Sequence, residues 1–262
     1  MEGDRFKWVP NYWKKIFLAQ TQYTVPFITQ LIGMFLEDGL LLFFWFIYFS
    51  RNLQNVNYEL SDIIFIFSVV TCGYGFSNTF FGNSTRLAYI ITNGELDYYL
   101  LFPTPTLLHI LISRSSTSAW GDVAFGFIVF FLAYPFSFSH FLFLCFSILI
   151  STITFTAFGS ILGCLSFFLD SATLLSQQTM RVFFGFAMYP LDIFPNVLKV
   201  ILLTVLPAAL LGSYQANSVH NLNIFTMLYL ALVPAILLSA AIVLFRLGLR
   251  RYESGAQVTY RI

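Results

Sequence analysis

No lysine occurs between Lys15 and Lys199, and no Gly-Lys pair occurs anywhere in the 262-residue chain. A Walker loop, G-x-x-x-x-G-K-[ST], needs that lysine to reach the phosphates, so the chain has no site of its own for ATP chemistry. Histidine is nearly as scarce. His109, His140 and His220 stand alone near the ends of apolar segments, where a solvated position is expected rather than a metal or catalytic one. Neither HExxH nor a nucleophile elbow is present, which argues against an intramembrane enzyme. The three cysteines, Cys72, Cys145 and Cys164, lie in apolar segments without CxxC spacing. They indicate no disulfide framework and no zinc site, and are expected to be small buried hydrophobes. Charge is sparse as well: 10% of residues are charged and the formal net charge is +1, so nucleic-acid binding has no basic footprint.

What fills the chain instead is hydrocarbon: 58% apolar residues, 33 phenylalanines and a mean hydropathy of +0.79. Such a composition belongs to an all-α integral membrane protein rather than a soluble domain. A spanning helix needs about 20 apolar residues, and six segments meet that length to within a few residues: 25–49, 63–81, 119–136, 141–169, 172–189 and 224–245. The start, MEGDRFKWVPNYWKK, has no uninterrupted apolar core of the kind a signal peptide carries. It is expected to lie on the membrane surface as an amphipathic, Trp- and Lys-rich segment. Three regions follow: an interfacial segment over residues 1–24, one transmembrane domain over 25–246 and a short basic tail over 247–262.

Lys and Arg in the short connections set the orientation. Arg5, Lys7, Lys14, Lys15, Arg86, Arg114, Arg246, Arg250, Arg251 and Arg261 fall on one side, ten against Arg51 and Lys199 on the other. Both termini are therefore expected in the cytoplasm, with an even number of crossings. That parity bears on residues 196–211, NVLKVILLTVLPAALL, which hydropathy alone would allow as a seventh span. A seventh crossing would carry the C-terminal arginines outside. The segment is also short, with Lys199 near its start and Pro207 near its end, and the preceding MYPLDIFP offers a turn. It is expected to be an external re-entrant or interfacial helix.

The same topology puts ITNGELDYYLLFPTP, residues 91–105, in the cytoplasm between the second and third spans. Thr92-Asn93-Gly94-Glu95 fits the S/T-x-x-E capping box, and Pro103 disfavours helix at Phe102. Between them the spacing predicts a helix of about nine residues, roughly 13 Å long at the standard rise. Ile91, Tyr98 and Leu101 would lie near one face and Asp97 away from it. Thr104-Pro105 is placed to cap a second helix running through His109 and Arg114. Spacing alone leaves two readings open, a docking helix and an ordinary interfacial loop.

GELDYYLLFPTP, with FRLGLRRYESG at residues 245–255, resembles two signature regions of the ABC-2 type permeases, the six-helix membrane subunits of ATP-driven exporters. The likeness covers most of the chain. It implies a cytoplasmic coupling helix, here Gly94, Glu95, Leu96, Asp97, Tyr98 and Tyr99, that sits in a cleft of a separate ABC ATPase. It implies a basic tail signature, here Arg250, Arg251, Tyr252 and Glu253. ATP and Mg belong to the ATPase, and this chain is expected to hold no cofactor. A second permease, identical or similar, would complete the translocation path in a bacterial inner membrane. Phe102 departs from the pattern, standing where many relatives carry an arginine before the proline, which puts an ionic contact there in doubt.

Glu37-Asp38 lies mid-way along the first span. An ionisable residue at that depth costs about 2.5–3.5 kcal/mol on insertion scales and asks for a reason. One reading is structural: the carboxyls stay protonated, or pair with Arg181 or with hydroxyls of neighbouring helices at the subunit interface. Another places them on a substrate path. A third makes them the ion site of a secondary transporter or channel. The phenylalanine-rich spans suit an apolar or amphipathic cargo such as a lipid, glycolipid, peptide or drug-like molecule. Gly159, Ser160 and Gly163 are small enough to let helices approach closely.

Overall fold

The computed structural model describes residues 8–51, 58–134, 137–169, 172–219 and 223–252, and within them every regular element is a helix. The N-terminal segment folds as α1, Trp8–Thr21, broken at Gln22 and Tyr23 from α2, Thr24–Ser50. Next come α3, Leu60–Phe80; α4, Leu87–Thr92; α5, Leu96–Leu100; α6, Thr106–Ile112; and α7, Ala119–Ala133. The second half holds α8, Phe138–Cys164; α9, Ala172–Ala187; α10, Asn196–Thr204; α11, Ser213–Val219; and α12, Ile224–Leu249.

Four of these, α2, α3, α8 and α12, are long and apolar enough to cross a membrane. The other two expected spans, α7 with 15 residues and α9 with 16, fall short of that length. At 1.5 Å per residue each covers roughly 22–24 Å, against about 30 Å of hydrocarbon. Residues 135, 136, 170 and 171, which flank them, lie outside the described residues. Helix α10 and residues 207–219 form a pair bent by 71°, which is either one broken span or a re-entrant loop.

Helix α3 is the centre of the bundle, and its composition explains why. From Ser68 onward it is rich in small residues, Thr71, Cys72, Gly73, Gly75 and Ser77 among them, so α7 and α8 both close in on it. A Cβ on Gly73 would stand 2.5 Å from the Ser151 Cβ of α8, and one on Gly126 of α7 would stand 2.9 Å from the backbone oxygen of Ser68. Glycine at these two contacts is what lets the backbones approach so closely. Gly159 and Gly163 likewise admit Ser84 and Leu87 against α8. Asp62 starts α3 by accepting the Glu59 backbone N–H at 2.9 Å. Helix α2 flanks α7 and α12 flanks α8, and both leave long apolar faces exposed.

Residues 207–219 enter this bundle rather than lie beside it. Ala208, Ala209, Leu210 and Leu211 are buried, and Ser151, half-way along α8, donates to the Leu211 carbonyl at 3.4 Å. Gln215 donates to the Leu210 carbonyl at 2.9 Å, and Asn217 donates to the Tyr58 hydroxyl at 3.1 Å. Non-helical backbone at such depth is tolerable only where protein surrounds it and satisfies its polar groups. Ahead of it, the Lys199 ammonium pairs with Asp192 at 3.1 Å and ties α10 to the turn in MYPLDIFP.

Candidate functional site

The stretch around Gly94 folds by a different rule from the capping box that its sequence suggests. Leu87, Ile90 and Ile91 are buried at helical spacing and carry α4 through Thr92, so Thr92 ends a helix instead of starting one. Its hydroxyl donates back to the Ala88 carbonyl at 2.8 Å. Gly94 then takes φ +75°, the left-handed conformation that commonly closes a helix and that glycine adopts without steric penalty. Glu95 makes no side-chain cap. The following helix, α5, is five residues long rather than nine.

Its faces also differ from the expected ones. Leu96 is fully buried at 0% exposure, and Tyr99 shares a 2.9 Å hydrogen bond with Ser113. Tyr98 is 60% exposed and Leu101 82% exposed, with Leu100 and Phe102 beside them. Ile91, expected on the same face as these, belongs to α4 and points inward. Pro103 does end the element: residues 101–104 are turns, and α6 begins at Thr106, one residue later than a Pro105 first position would put it. Residues 94–102 thus form a short projection rooted by Leu96 and Tyr99, whose exposed side carries Tyr98, Leu100, Leu101 and Phe102 beside the charged Glu95.

His109 is part of the root. It is buried rather than solvated, its ring edge-on to Tyr99 at 5.3 Å and Phe102 at 5.0 Å, with Tyr12 of α1 at 6.1 Å. Its Nδ1 lies 3.3 Å from the Thr104 hydroxyl, and burial pulls its pKa below the usual value. His140 is half-buried beside Tyr134, and His220 lies outside the described residues.

The two sequence signatures meet here. Leu87, Ile90, Ile91, Leu96, Ile110 and Cys164 form one buried cluster with Phe245, and Tyr99, Leu249 and Tyr252 pack on it. Phe167, at the end of the α8 helix, touches the rings of Phe245 at 5.7 Å and Tyr252 at 6.1 Å. Gly248 leaves room for the Phe167 ring, where a Cβ would collide with it. Burial, and then the neighbouring Asp97 carboxylate of α5, push the Tyr252 phenol up to about 12. Arg250 and Arg251 are both exposed, and Arg251 lies over the Phe168 ring at 5.2 Å. Glu253 lies outside the described residues. No sequence spacing relates Leu96 to Phe245; only their shared burial does.

The intramembrane carboxyls separate. Glu37 is exposed on the outer face of α2, whereas Asp38 is 5% exposed and faces α7. Its neighbour there is Asp122, 3% exposed in the first turn of α7. The register is set by Gly121 against Met34 and by the Phe35 and Phe125 rings at 5.6 Å. Asp38 Oδ2 and Asp122 Oδ1 are both buried without a hydrogen-bond partner. Arg181 is exposed on α9 and forms no ion pair with either among the described residues, so the expected Arg181 pairing is absent within one chain. An ion site built from Glu37 with Asp38 loses its first member. Asp122 lies in the first turn of α7, and nothing in the sequence signalled its burial. Among the cysteines, Cys72 and Cys164 are buried as expected and Cys145 is exposed.

No curated protein matches the chain. The family model described as ABC-2 family transporter protein matches residues 35–256, which takes in α3 to α12, the Gly94 projection and the cluster beneath it. With well over half of its length matched, including both signature regions, the chain belongs to the ABC-2 transporter family.

Proposed function

We propose that this chain is the permease subunit of an ATP-driven exporter, moving an apolar or amphipathic substrate out of the cytoplasm while a separate ABC ATPase hydrolyses ATP. In this reading α7 and α9 join the four longer helices to make six crossings, residues 196–219 re-enter from outside, and both termini are cytoplasmic. A second permease, identical or similar, covers part of the exposed apolar surface of α2. The observation that carries the reading is the projection at 94–102. Its inner residues are locked into the cluster that holds the end of α12, and its outer residues, Tyr98 and Leu101, are large, apolar and uncovered. An element so built transmits motion: a partner that grips the outside moves what is fixed to the inside.

The test is uncoupling. Gly94→Pro removes a backbone N–H and forbids the positive φ found there, and Asp97→Lys with Tyr98→Ala alters the projection directly. Either variant should reach the membrane and associate with its permease partner, while ATPase co-purification and substrate-stimulated hydrolysis fall. Changes on α10 should leave ATPase association intact. Full association and export by the double variant would reduce 94–99 to an ordinary loop.

A further inference from the structure

Between α1, the start of α2 and the segment joining α6 to α7 lies a cleft of ≈ 570 Å³, within the usual range for small-molecule sites. Its lining has two characters. Tyr23, Pro26 and Phe27 give an apolar wall where α1 passes into α2, and Gln20, Gln30 and Arg114 give polar and charged groups. Gln20 is fixed in place, its Nε2 donating to the Ser115 carbonyl at 2.8 Å, while its Oε1 is buried without a donor.

Arg114 is exposed at the edge of this cleft. Among the described residues no carboxylate forms an ion pair with it. Partial burial and the like charge of Arg86 draw its guanidinium below the usual pKa, and Glu95 opposes them only in part. An exposed guanidinium with no ion-pair partner among the described residues, and with a second arginine close enough to lower its pKa, favours an anion that can accept two parallel N–H bonds, as a phosphate does. The apolar wall selects further. A soluble anion would gain nothing from Phe27 or Pro26, whereas an amphiphile would use both walls at once. The position agrees: α2 leads directly from the cleft into the apolar span, with Val25 and Ile28 exposed at its start, and α1 presents Lys14 and Lys15 outward.

We propose that this cleft binds an anionic phospholipid of the cytoplasmic leaflet, its phosphate on Arg114 and its glycerol and upper acyl region against Tyr23, Pro26 and Phe27. The lipid would pin α1 to α2 at their break, next to the contact of α1 with His109 under the projection. The proposal rests on α2 crossing the membrane with its start at the cytoplasmic face, as in the reading above, and needs no ATPase, so its failure is distinct from failure of the exporter reading.

The experiment uses the full chain, purified in detergent and titrated by native mass spectrometry with phosphatidylglycerol or with phosphatidylcholine of the same acyl composition. Phosphatidylglycerol should be retained in preference, and Arg114→Gln should weaken it about fivefold, the effect of roughly one basic residue at a membrane surface. Arg114→Lys should retain part of the preference. Ala19→Phe, which fills the cleft and keeps every charge, should lose the same lipid. A photoreactive phosphatidylglycerol on the unaltered chain should label residues 19–30 or 113–117, which keeps the idea testable should a variant misfold. Equal retention of the two lipids, wild-type retention by Arg114→Gln, displacement of the lipid by inorganic phosphate alone, or labelling only elsewhere would each overturn it.

Discussion

Leu96 and Tyr98 sit two residues apart on one five-residue helix, and substituting each with alanine should give opposite phenotypes. Leu96 is fully buried in the cluster that joins α4, α6 and the end of α12. Truncating a buried leucine removes its transfer energy and leaves a cavity, together about 2–5 kcal/mol. Helix α5 is too short to hold its shape alone, so that loss falls on the docking of the projection. Tyr98 is 60% exposed, and its ring meets those of Tyr99 and Phe102 at 5.3 and 5.1 Å. Losing those ring contacts costs about 1 kcal/mol. In thermal melts of the purified permease, Leu96→Ala should therefore lower stability by at least about twice as much as Tyr98→Ala. In ATPase co-purification Tyr98→Ala should lose association despite a near-normal melt. If Leu96→Ala melts like the unaltered chain, or Tyr98→Ala is the more destabilising of the two, the inside-outside assignment of the projection is wrong.

Other perturbations follow from the same geometry. Gly94→Ala meets no atom within 4 Å, so its cost is backbone strain alone, about 1–2 kcal/mol, and it should weaken ATPase-coupled export more than it lowers the melting temperature. Gly126→Ala would press a Cβ to 2.5 Å from Cys72 Sγ and 2.9 Å from the Ser68 carbonyl oxygen, forcing α3 and α7 apart at about 1–3 kcal/mol in the same melts. Asp122→Asn keeps the shape of one of two carboxyl groups in a buried helix contact where each has an oxygen without a hydrogen-bond partner among the described residues, so the melt should hold or rise, and a fall above about 1 kcal/mol would mean that the carboxyl group has a partner. His109 has its folded-state pKa lowered by burial, so its protonation opposes folding. Stability should be full above the unfolded value of about 6.5 and decline as pH falls through and below it, and His109→Phe should flatten that acid limb.

The long helices were legible because length and hydropathy determine them: α2, α3, α8 and α12 follow their apolar runs to within a few residues. The Gly94 turn was misread because two local signals overlap there. Thr92-x-x-Glu95 suggests a beginning, and Asn93-Gly94 suggests an ending. What decides between them is the burial of Leu87, Ile90 and Ile91, which belongs to tertiary packing. The inward turn of Asp38 and outward turn of Glu37 were illegible for a related reason. Apolar residues surround α2 on every side, so no periodicity marks which face meets α7. The cluster beneath the projection joins residues more than a hundred positions apart, and only the family resemblance had singled out both ends.

The central claim, that the outer face of residues 94–102 is where the ATPase docks, is tested most directly by site-specific photocrosslinking in the assembled complex. A photoreactive amino acid at Leu101, 82% exposed on the projection, is compared with one at Val197, 76% exposed on α10. The account predicts a crosslink to the ATPase from position 101 and none from position 197; a crosslink from 197 alone would contradict it.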